Sequence, residues 1–256
     1  MVTDEPDLKI FSCDDPKDAI RTLSLIHGVE AAEIERVYLG DWPDFLQQDF
    51  NSFDSEFFPW LMADNVNGKL NCEFQEAAYY HRARYDGSET WFDNGLLSSG
   101  EGAVEFLHKT RSSYEGYDFD QILAICEVNI RERTDLEGGG TLKSGGGPYA
   151  FDTFEDAKYG IGENYETPEM FIGPRWGGWC GPTEAATDLI EILSRSLKPV
   201  IVKFIGKVED QERYTTGLWH YLYRVANGLE YMPFTHTFLG RGVTVPYERI
   251  ISVIDL

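Results

Sequence analysis

Runs of β-like composition stand far apart in this chain, separated by helix-like stretches of uneven length. That spacing limits the fold more than any other feature. Strands are expected at Ala77–Arg84, Gln121–Ile130, Val200–Ile205 and Arg249–Ile254. Helix patterns fall at Glu89–Asn94, closing on Gly95, and at Gly102–Thr110, Thr183–Leu197 and Thr215–Ala226. A doubly wound sheet needs strands and helices in regular alternation, so the irregular order points to α+β. The first residues differ in character: helix patterns at Pro16–Leu25 and Glu30–Leu39 precede an acidic, Phe-rich stretch from Asp41 to Trp60. The expected division is a mainly helical N-terminal region over 1–72 and an α+β domain over 73–256.

With 256 residues the chain can bury a full core without staples. Its four cysteines, Cys13, Cys72, Cys126 and Cys180, are scattered and show neither metal-ligand pairing nor disulfide density, which suits a reducing compartment. No run approaches the roughly 18 apolar residues of a membrane span, and the acidic start Met1-Val2-Thr3-Asp4-Glu5 is unlike a signal peptide. The expectation is a cytoplasmic protein where it is made, with no membrane partner; export by a dedicated system without a cleavable signal stays open. A formal charge of −22 repels phosphate backbones and favours a protein partner over nucleic acid. Walker A, Rossmann Gly-x-Gly-x-x-Gly and His-Glu-x-x-His patterns are absent from the sequence.

The segment from Gly147 to Tyr159 carries the densest local signal. Three glycines, Gly145 to Gly147, lead into Pro148-Tyr149-Ala150-Phe151. Asp152 or Thr153 is then a natural N-cap for a short helix ending near Tyr159. Two tyrosines therefore flank a strand-to-helix turn, an arrangement able to clamp a flat ring. Upstream, Tyr80-His81-Arg82-Ala83-Arg84 leads through a polar turn to Trp91-Phe92-Asp93-Asn94-Gly95-Leu96-Leu97. Downstream, Val245-Pro246-Tyr247-Glu248-Arg249-Ile250-Ile251-Ser252-Val253 places a glutamate ahead of an apolar strand pattern.

Taken in this order, the histidine, tyrosine and glutamate blocks over residues 77 to 256 resemble the ADP-ribosyltransferases of the diphtheria-toxin and poly(ADP-ribose) polymerase type. The resemblance implies a split mixed β-sheet fold and transfer of one ADP-ribose from NAD to a macromolecular acceptor, with nicotinamide release. It implies that Tyr149 and Tyr159 sandwich the nicotinamide, His81 hydrogen-bonds the adenosine ribose, and Glu248 holds the nicotinamide ribose. Gly147 belongs to the same binding block. Toxin-like or effector-like members of this type also make a cognate inhibitor protein a conceivable partner. The interval between Tyr159 and Glu248 is longer than in better-known members. Arg82 and Arg84 are suited to a pyrophosphate, but strand alternation sends them to the face opposite His81, so they stand outside the expected site.

A different chemistry stays open. Cys180 opens the helix pattern of Thr183–Leu197, where a helix dipole would stabilise a thiolate, with His220 or His236 as base for a Cys-His hydrolase or transpeptidase. A catalytically inactive NAD-binding module is the third possibility.

Overall fold

The computed structural model describes residues 10–48, 53, 56–136, 146–159, 196–229 and 237–256. The chain forms two compact units: Met1–Tyr79 with Phe151–Asp156 and Ile205–Phe238, and Tyr80–Ala150 with Ala157–Phe204 and Leu239–Leu256. The elements are α1 (Pro16–His27), α2 (Ala31–Tyr38), α3 (Asp44–Gln48), α4 (Phe58–Asn65), β1 (Glu76–Tyr85) and α5 (Ser99–Lys109). They are followed by α6 (Phe119–Leu136), α7 (Phe154–Lys158), β2 (Lys198–Lys207), α8 (Gln211–Ala226) and β3 (Ile250–Asp255). Helices and a small sheet coexist without regular alternation, which is α+β. Among the described residues no helix is long and apolar enough to cross a membrane.

The first unit is built on α1 and α8. Asp15 caps α1 by accepting the Asp18 amide at 2.9 Å, and Gly28, at φ 63°, ends it in the left-handed conformation. The apolar positions Ala19, Ile20, Leu23 and Ile26 are spaced to form one buried helix face, and each large side chain so buried contributes about 1.5–3 kcal/mol. In α8, capped by Asp210 at the Arg213 amide, Trp219 is fully buried. Its indole N–H donates to Nε2 of His27 at 2.9 Å, and Trp42 packs edge-on against both Trp219 and Tyr223. Burial pulls the His27 pKa down to about 4, which keeps this core imidazole neutral.

The sheet has the order β1-β2-β3. In β2 the residues Val200, Ile201, Val202 and Phe204 are all buried, as befits a central strand covered on both faces. β2 and β3 pair antiparallel from Val200 opposite Asp255 to Phe204 opposite Ile250, with a bulge between Lys203 and Phe204. Helix α5, capped by Ser98, packs on α6.

Two expected elements are corrected. Gln121–Ile130 lies within α6, a helix and not a strand: Ile122, Cys126 and Ile130, four residues apart, are buried among its described side chains. Glu89–Asn94 forms turns instead of a helix, with Trp91 and Asp93 amides bonding carbonyls three residues back and the Trp91 carbonyl accepting from Lys109. The Trp91 carbonyl, which a helix would offer to the amide four residues on, is taken by Lys109, and the Gly95 amide bonds the Phe92 carbonyl instead. Of the helix expected at Thr183–Leu197, positions 183–195 lie outside the described residues, as do 138–145 of the glycine run.

Candidate functional site

Residues 146–148 are gripped by backbone on two sides. Gly147 sits at φ 57°, and a Cβ there would lie 2.4 Å from Ser99 Oγ. A Cβ on Gly240 would lie 2.5 Å from the Gly147 carbonyl carbon and oxygen. The Ser99 amide donates to the Gly146 carbonyl at 3.0 Å and the Gly242 amide to the Gly147 carbonyl at 2.9 Å. Only glycine meets both the conformational and the steric demand. Gly147 is thus a buried support that fixes where Tyr149 begins.

From that support Tyr149 emerges with 37% of its surface exposed, and its carbonyl accepts from Nδ1 of His81 at 2.7 Å. A carbonyl can only accept, so Nδ1 carries the proton and, in the neutral ring, Nε2 is left as an acceptor. Burial lowers the His81 pKa, opposed by the bond to the Tyr149 carbonyl, so the neutral form prevails.

Arg82, the next residue of β1, holds the other end of the segment. Its Nε donates to the Ala157 carbonyl at 2.5 Å and its Nη2 to the Tyr159 carbonyl. The side chain is buried, and Tyr159 keeps 44% of its surface exposed. Alternation along β1 sends His81 and Arg82 to opposite faces, and each secures one tyrosine's backbone. Arg84 donates to the Leu197 carbonyl at 3.0 Å. Both guanidinium groups are tied to main-chain oxygens.

Between the tyrosines, Thr153 accepts the Asp156 amide at 3.0 Å and so caps α7. Asp152 is fully buried, and its Oδ1 accepts from both the amide and the hydroxyl of Thr237, at 2.9 and 2.8 Å. Asp156 pairs with Arg224 at 2.8 Å; burial raises its pKa and Arg224 opposes the rise. In a chain with 44 acidic residues, nothing in the sequence marks these two carboxylates as buried.

Glu248 belongs to another segment of the same unit. It occupies a 3₁₀ turn, Tyr247–Arg249, just before β3, is exposed, and makes no hydrogen bond or ion pair among the described residues. The strand expected at Arg249–Ile254 is β3, Ile250–Asp255, so Glu248 precedes it. Val245 itself bridges Leu96 through two backbone bonds of 2.8 Å. The structure therefore joins His81, Gly147, Tyr149 and Tyr159 through β1 and its neighbours, and leaves Glu248 facing solvent.

Of the Cys-His alternative, Cys180 and His236 lie outside the described residues. His220 belongs to α8, with its ring 4.5 Å from that of Phe53. Among the described residues no group of His, Cys, Asp and Glu is placed to hold a metal ion. No family model, curated protein or solved structure matches the chain.

Proposed function

We propose that the chain is an NAD-dependent mono-ADP-ribosyltransferase with a split-sheet transferase fold, acting on a macromolecular acceptor. One observation carries the reading: the 2.7 Å bond from His81 Nδ1 to the Tyr149 carbonyl. It gives the histidine a fixed tautomer with Nε2 as acceptor, beside a tyrosine that is exposed, as Tyr159 is too.

In this reading His81 Nε2 accepts a hydrogen bond from an adenosine ribose hydroxyl. The faces of Tyr149 and Tyr159 flank the cationic nicotinamide, for which aromatic faces supply stacking and electrostatic attraction. Glu248 accepts from a hydroxyl of the nicotinamide ribose and offsets positive charge as it grows on that sugar. The bond from ribose C1′ to the nicotinamide nitrogen breaks and its electron pair leaves with neutral nicotinamide. A nucleophile of the acceptor forms the new bond to C1′ and gives up a proton; water in its place gives simple hydrolysis. An exposed glutamate also lies within reach of a large acceptor, which a deeply buried one would not.

The test is incubation of the folded protein with NAD carrying labels on nicotinamide and on adenosine, with and without a cell lysate. Expected are nicotinamide release, adenosine label on a macromolecule, and loss of both in Glu248→Gln. Release and transfer both absent in wild-type protein would end the proposal.

A further inference from the structure

An open groove of about 930 Å³ runs beside α5 and α6 in the second unit. Leu97, Val104 and Ile130 give it an apolar lining, and Glu101, Glu105 and Glu127 stand along it. Glu105 is engaged by Lys109 at 2.5 Å and by the amide of Asn94 at 3.2 Å. Glu101 takes part in the α5 cap with Ser98. Glu127 is exposed and has no ion pair among the described residues.

The shape and the charge select one kind of occupant. Small-molecule sites enclose most of their ligand, and this groove is open along one side. Apolar positions between adjacent helices match the way amphipathic helices are received in grooves. Three glutamates against one lysine leave the lining negative, which complements lysine or arginine and opposes acidic segments. We infer that the groove docks a basic amphipathic helix of a protein partner. Apolar side chains of that helix meet Leu97 and Val104 above the buried Ile130, and its cations meet Glu101 and Glu127. The inference stands whether or not the chain uses NAD.

The experiment is fluorescence anisotropy at physiological salt, with a labelled amphipathic helical peptide of leucine and lysine as probe and a leucine and glutamate peptide as control. The basic peptide is expected to bind, and the double variant Glu101→Gln/Glu127→Gln to bind it about tenfold more weakly. Glutamine preserves the cap at position 101. Glu35→Gln/Glu73→Gln, which makes the same change in formal charge at exposed positions of the first unit, is expected to change affinity less than about twofold. Glu127→Lys, a single exposed change, is expected to weaken binding further and provides a second readout if the double variant misfolds. Equal weakening by the two double variants would assign the attraction to diffuse acidity and overturn the inference. So would absence of peptide binding, or binding of spermine through Glu101 and Glu127 without binding of the peptide.

Discussion

Replacing Arg82 by methionine tests the arrangement at a buried charge. Methionine keeps an unbranched apolar stem in place, so packing changes little and the loss is confined to the guanidinium. That group donates to two carbonyls, those of Ala157 and Tyr159. A hydrogen bond from a charged donor contributes about 1.5–3 kcal/mol, and relief of burying the charge offsets part of the sum, leaving about 2–4 kcal/mol. For a chain of this size each kcal/mol lowers the melting temperature by about 2–4 °C, so a fall on the order of 4–16 °C is expected. Hydrogen exchange should locate the damage: amides of 157–159 gain exchange more than those of β2. Lysine at the same position restores the charge and one donor direction, so Arg82→Lys should fall between wild type and Arg82→Met. Stability within about 0.5 kcal/mol of wild type, with exchange at 157–159 unchanged, would refute the reasoning.

Acid should weaken the first unit through His27. Its pKa is about 4 when folded against an ordinary 6.5, so below pH 6.5 the unfolded chain takes up the extra proton. Stability is flat above that pH and falls by about 3 kcal/mol as pH drops from 6.5 to 4, measurable by urea titration, and His27→Gln should flatten the slope. Gly95→Ala should cost about 3 kcal/mol or more: the added Cβ would sit 2.0 Å from the Val245 oxygen at a residue with φ 78° and would break the Leu96–Val245 bridge. Tyr159→Ala, at a 44% exposed site, should shift stability by no more than about 0.5 kcal/mol while abolishing nicotinamide release from NAD. Thermal melts and turnover on the same preparation separate the two effects.

What the sequence could disclose depended on how local each determinant is. The α1 cap at Asp15 and stop at Gly28 are written within a few residues, and so is the apolar run of β2. The strand expected at Gln121–Ile130 misread a dense apolar run: the residues that face the core, Ile122, Cys126 and Ile130, follow a four-residue step that the intervening Leu123, Ala124 and Val128 obscure. At the candidate site, His81 and the two tyrosines were legible as residue types. The bond between His81 and the Tyr149 carbonyl spans 68 positions, and no short-range pattern encodes it. Arg82 was set aside because alternation turned it away from His81. The alternation was right, and the far face proved to hold the other end of the same segment. The cap had two candidates, Asp152 and Thr153, and Thr153 takes that place because the Asp152 carboxylate is committed to Thr237, 85 positions on.

The contact of Gly240 with Gly147 bears on how this chain can change over time. Their main chains approach so closely that a methyl group on Gly240 would overlap the Gly147 carbonyl, and one on Gly147 would overlap Ser99. Tyr149 can be exchanged for another aromatic without moving the backbone, whereas a side chain on Gly240 requires the main chain at 147–148 to shift, and one on Gly147 requires Ser99 to give way at a residue held at φ 57°. A distant relative that keeps this turn must therefore keep both glycines, whatever chemistry it performs. The pair, separated by most of the second half of the chain, is a better tracer of common descent than the residues that would touch a substrate.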